Sequence, residues 1–212
     1  MMEGGDRKSL PKLTALLVSV LFHPLFMPLY GLFVIFNAPT LFWYIPVRAK
    51  LVLLLIFVVN NLLLPLLLMG LLRLRGVVSS WTMENREERT LPLLGVVILY
   101  IVTSVILSRL AIPVFFRAYG YSLTALSVVL LAINTKWKVS LHAAGAGALV
   151  STVLILSVRM AVPLPFYLAT AVMISGIVLS SRLRLNAHNQ GETYGGFIAG
   201  LLTIPLIMVL FH

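Results

Sequence analysis

Three short stretches hold residue types able to bind and attack a phosphoryl group. ENREERTLP (84–92) offers Arg86 and Arg89. KWKVSLH (136–142) offers Lys138, Ser140 and His142. SRLRLNAHNQGE (181–192) offers Arg182, His188 and Glu192. The chain has only six acidic residues and four histidines, yet Glu84, Glu87, Glu88, Glu192, His142 and His188 all fall in these stretches. Phosphoryl transfer spreads negative charge over equatorial oxygens, and arginine answers it with a planar fork of fixed donors. Arg89 and Arg182 lead as phosphate clamps, with Arg86 next. Ser140 supplies a hydroxyl and a backbone N–H near an expected helix start, where anions are favoured. Lys138 either snorkels to the lipid headgroups or faces the phosphate. An imidazole attacks phosphorus when one ring nitrogen is bare and the other is held by an acceptor, and His188 is the candidate. The i to i+4 spacing brings Glu192 to it if a helix has already begun; Gly191 allows a turn there instead.

The third stretch resembles a signature of the type 2 phosphatidic acid phosphatase superfamily, which includes the vanadium haloperoxidases. That signature is Ser-Arg, five residues, His, three residues, Asp; Ser181, Arg182, His188 and Glu192 stand at those positions, with Glu for Asp. KVSLHAAGAG keeps Ser140 and His142 of the family's Pro-Ser-Gly-His, with Val139 and Leu141 for its Pro and Gly. ENREERTLP offers Arg86, Arg89 and Pro92 in place of the family's Lys, six residues, Arg-Pro. The resemblance spans about residues 84–200. It implies a histidine nucleophile, His188, oriented by Glu192, and a general acid and base, His142. It also implies hydrolysis through a phosphohistidine with no metal or cofactor, and a lipid phosphate or diphosphate as substrate. A non-catalytic relative that binds or moves an anionic lipid is the alternative.

The elements that must position these groups are membrane spans. The chain has 212 residues, is 60% hydrophobic and has mean hydropathy +1.06. A soluble domain runs nearer 45–50% apolar. Long apolar runs at 13–36, 51–72, 91–107, 119–134, 139–158, 162–181 and 193–211 approach the ~20 residues a helix needs to cross a bilayer. Runs such as LVLLLIF do not alternate as barrel strands do. We expect an all-α polytopic transmembrane bundle of six or seven spans (13–212), preceded by a solvated arm (1–12). Pro24 and Pro28 predict a kink or a re-entrant piece in the first span.

The net charge of +10 does not read as nucleic-acid binding, because the basic residues sit at the ends of apolar runs and no aromatic-basic module accompanies them. They are richest on the side carrying the three stretches, which favours a cytoplasmic site by the positive-inside rule, in a bacterial inner membrane. The chain has no cysteine, which excludes disulfides, thiolate metal sites and cysteine nucleophiles. AAGAGA (143–148) reads as a close-packing face. His23, Asn60 and Asn61, inside apolar runs, are accounted for by hydrogen bonds between helices.

Overall fold

The computed structural model describes residues 10–79 and 86–211. Residues 1–9 of the expected arm lie outside this range, as does Glu84. Every regular element among the described residues is helical. Among the described residues, seven stretches are long and apolar enough to cross a membrane: Lys12–Asn37, Val47–Leu74, Glu87–Arg109, Val114–Asn134, Leu141–Met160, Pro165–Arg184 and Gln190–Leu210. The architecture is the all-α polytopic bundle, with the count at seven.

Two spans are broken, each for a local reason. The first consists of α1 (Leu10–Leu21), a 3-10 turn at Pro24–Phe26, and α2 (Met27–Asn37). Pro24 and Pro28 lack the N–H that a continuous helix requires, but each is tolerated at the start of a new helical segment. The second joins α3 (Val47–Val58) to α4 (Leu64–Leu74) through a π turn at Val59–Leu63, just before Pro65. The wider turn absorbs the proline and turns Asn61 inward, where its Oδ1 accepts the Thr103 hydroxyl at 2.7 Å. The other spans are single helices: α5 (Thr90–Arg109), α6 (Val114–Asn134), α7 (Leu141–Met160), α8 (Pro165–Arg184) and α9 (Gln190–Leu210).

Helix α7 is the axis of the bundle. All of 143–153 is buried, so its surface is covered on every side, chiefly by α2, α8 and α9. Without a hydrophobic force between helices in lipid, close backbone approach supplies the attraction. The α7–α9 contact depends on it: a Cβ on Gly200 would run into the Ala144 carbonyl, and one on Gly196 into the Ser140 carbonyl. Side-chain hydroxyls add long bonds across the seams of α7 with α9 and α8, from Ser151 to the Gly200 carbonyl (3.3 Å) and from Ser175 to the Ala146 carbonyl (3.3 Å).

Candidate active site

The starts of α5, α7 and α9 and the ends of α6 and α8 meet at one end of the bundle. Asn134 closes α6 and donates to the Arg86 carbonyl at 3.2 Å and to Thr90 Oγ1 at 3.3 Å. Arg89 Nη1 donates to the Val139 carbonyl at 3.4 Å. The Ser140 N–H donates to the Glu192 carbonyl at 3.0 Å, which fixes the first turn of α7 against that of α9. The three chemistry-bearing stretches thus converge although about a hundred residues separate the first from the last.

The connection from α8 to α9 sets the nucleophile candidate. Asn186 takes the left-handed conformation (φ 50°), which asparagine tolerates better than most residues. The Ala187 N–H reaches the Arg182 carbonyl (3.3 Å) and the Asn186 N–H the Leu183 carbonyl (3.0 Å). That pair of bonds ends a helix in one tight reversal. Asn189 then caps α9: its Oδ1 accepts the Glu192 N–H at 2.8 Å, and Glu192 Oε2 accepts the Asn189 N–H at 3.4 Å. The same Oε2 accepts the His188 Nδ1 proton at 2.8 Å. His188 therefore precedes the helix, and Glu192 reaches it by turning back over the helix start rather than along a helical face. The Asn-x-x-Glu spacing of a capping box was the signal for this arrangement.

His188 is 7% exposed. Burial lowers its pKa to about 4, against the upward pull of the hydrogen bond it donates to Glu192, with the charges of Arg89 and Arg182 adding to the lowering. At neutral pH the ring is uncharged. With its one proton on Nδ1 facing the carboxylate, Nε2 carries a bare lone pair.

A cavity of about 450 Å³ opens beside these groups. His23, Arg89, His142, Arg182 and His188 line its polar part. Leu93, Val96, Leu123, Leu126 and Leu149 are among the apolar side chains that extend it into the bundle, as far as Tyr100 and Tyr119. No family model, curated protein or solved structure matches the chain. The chemistry has to be read from the side chains themselves.

Arg182 extends Nη1 to Ser19 Oγ at 3.2 Å, while its Nε is buried with no partner. His142, in the first turn of α7, faces the Ser19 carbonyl through Nε2 at 3.0 Å. A carbonyl only accepts, so this nitrogen carries the proton, and Nδ1 is the nitrogen left for exchange. Ser19 thus holds two of the site's side chains from the first span, and nothing in the sequence marks a serine in an apolar run for that task.

Four candidates from the sequence do not line the cavity; one of them, Glu192, stands behind His188. Ser140 is fully buried, with its hydroxyl accepting the Ala143 N–H at 3.4 Å and its own N–H committed to Glu192. It serves as the N-cap of α7. Arg86 lies near Asn134, to which it offers its main-chain carbonyl. Lys138 is half-buried on the connection between α6 and α7. Conversely, His23, accounted for in the sequence by helix packing, belongs to the cavity wall.

Proposed function

We propose that this protein is an integral membrane phosphatase acting on a lipid phosphate or diphosphate through a phosphohistidine intermediate. One observation carries the reading: His188 presents a bare Nε2, with Nδ1–H held by Glu192, in a cavity also lined by Arg89 and Arg182. The guanidinium groups receive the phosphoryl oxygens. His188 Nε2 attacks phosphorus, and the bond from phosphorus to the leaving oxygen breaks. His142, protonated at Nδ1 by the acidic proton that the incoming phosphate brings, gives that proton to the leaving oxygen while its Nε2–H stays on the Ser19 carbonyl. Glu192 stabilises the positive charge that develops on the His188 ring. His142, now neutral, takes a proton from water. The resulting hydroxide attacks the phosphohistidine, releasing inorganic phosphate and restoring both imidazoles.

The apolar extent of the cavity supports an amphiphilic substrate, its phosphate among the basic groups and its chain among the leucines. Arg73, Arg75, Arg86, Arg89, Lys136, Lys138, Arg182 and Arg184 fall at the ends of spans on the site's side of the chain, which supports a cytoplasmic site in a bacterial inner membrane.

The test is phosphate release by the purified full chain in micelles from phosphatidic acid, phosphatidylglycerol phosphate and an isoprenyl diphosphate. It is paired with acid-stable or base-stable trapping of labelled phosphate and mapping of the labelled residue. Base-stable label on His188 is expected. Label on another residue sinks the mechanism.

A second reading has its own observation. Neither Ser140 nor Lys138 lines the cavity, so a bound anion meets guanidinium and imidazole groups without the Ser140 hydroxyl or the Lys138 ammonium. A non-catalytic protein that binds or moves an anionic lipid fits that donor set. Saturable binding of phosphatidic acid with no phosphate release from any of the three lipids selects it.

A further inference from the structure

We propose that His23, at the break in the first span, contacts the substrate headgroup and donates its Nε2 proton to a phosphate oxygen. The inference rests on the phosphate reading of the cavity and adds a third imidazole to it, from a span that carries none of the three stretches.

The protonation state follows from geometry. His23 Nδ1 accepts the Leu25 N–H at 3.4 Å, as the cap of the short 3-10 turn. A ring nitrogen that accepts carries no proton, so the proton is on Nε2. Among the described residues, it forms no hydrogen bond. A half-buried N–H within an apolar span is costly without a partner. Its surroundings supply cations and imidazoles: the ring lies edge-on to His142, with centroids 5.3 Å apart and planes at 83°, and Arg182 is near enough for its charge to be felt. Arg182 Nε is the second donor here without a partner. A donor from the first span, lining the same cavity as the Arg182 guanidinium from another span, complements a group with several negative oxygens. The chain break places the ring there. Residue 23 is extended (φ −62°, ψ 142°), which a continuous helix would forbid, and Pro24 enforces the interruption.

The bland explanation is that His23 only caps the turn. Two near-isosteric changes separate the roles. His23→Asn keeps an acceptor for the Leu25 N–H and loses the outer donor. His23→Gln keeps a donor near the position of Nε2 and loses the cap. Binding of inorganic phosphate to the full chain in micelles is measured by calorimetry. KM and kcat for phosphatidic acid and an isoprenyl diphosphate are measured separately. The expected result is roughly tenfold weaker phosphate binding and a raised KM in His23→Asn, with His23→Gln close to wild type. His23→Asn that binds phosphate as wild type does, with His23→Gln impaired, overturns the contact and leaves the cap. Wild-type chain that binds phosphate through His23 yet releases none from any lipid keeps the contact and removes the proposed turnover. Turnover with KM unchanged in His23→Asn removes the contact and keeps the phosphatase.

Discussion

The two ends of the bundle treat their cations differently. At the end away from the cavity, Lys50 donates to the carbonyls of Phe36 (3.2 Å) and Trp43 (2.9 Å) and lies over both rings. Arg159 donates to the carbonyls of Met208 (3.2 Å) and Phe211. These cations close the C-terminal ends of α2 and α9, where the helix dipole favours positive charge. At the cavity end, Arg89 stands at the N-terminal side of α5, the side that disfavours it, and Arg182 keeps a buried Nε with no partner. Cations that satisfy helix ends are anchors. On the proposed reading, Arg89, held against the dipole of α5, and Arg182, favoured by the C-terminal end of α8 but without a partner at Nε, receive an anion.

The sharpest way to break this contrast is His188→Ala. It is expected to reduce phosphate release more than roughly 10³-fold while phosphate binding persists. Release within tenfold of wild type refutes the nucleophile. Next, Glu192→Gln keeps the cap, because glutamine serves at that position, but removes the negative charge behind the ring. A fall in kcat of roughly 10²-fold is expected with little change in melting temperature; equal losses in both make Glu192 merely structural.

The pH profile sharpens the same point. The acid limb of kcat/KM, which reports the free protein, is expected near pH 4 rather than near 6.5. Glu192 pulls the His188 pKa upward, so Glu192→Gln moves the limb lower still. The sign for stability follows: the unfolded ring takes its proton below about 6.5 and the folded one only below about 4. The contribution is lost as pH falls through that window. A limb at 6.5 in wild type contradicts the buried, carboxylate-held ring.

Gly200→Ala tests the seam between α7 and α9, where a Cβ meets the Ala144 carbonyl. A loss of about 1–3 kcal/mol is expected, read as a lower melting temperature in micelles. The smallest effect is expected at the far end. Arg159→Met is expected to leave phosphate release within about threefold of wild type and to cost about 1 kcal/mol or less. A large kinetic loss there erases the distinction between the two ends.

Much of this architecture was legible in the residues. Apolar run length gives six or seven spans, the seven runs differing in their limits from the helices by a few positions, and Pro24 and Pro28 mark the break in the first. The π turn at Val59–Leu63 was not legible, because no residue in VNNLL demands it until Pro65 is packed. The His188–Glu192 pair was visible as spacing, but its route through the Asn189 cap was not drawn from it. Ser140 could not be told from a phosphate donor, since a capping serine and a binding serine both sit before a helix. Ser19 and His23 were hidden for a different reason. Their partners His142 and Arg182 lie more than a hundred residues away, and only packing of the first span against α7 and α8 makes them neighbours.

One carboxylate both begins the last helix and fixes the tautomer of His188. Assembly and competence are therefore a single event. On the proposed mechanism, a chain whose final segment has not yet inserted has no oriented nucleophile, and a half-built protein in the membrane is chemically silent toward the lipids around it.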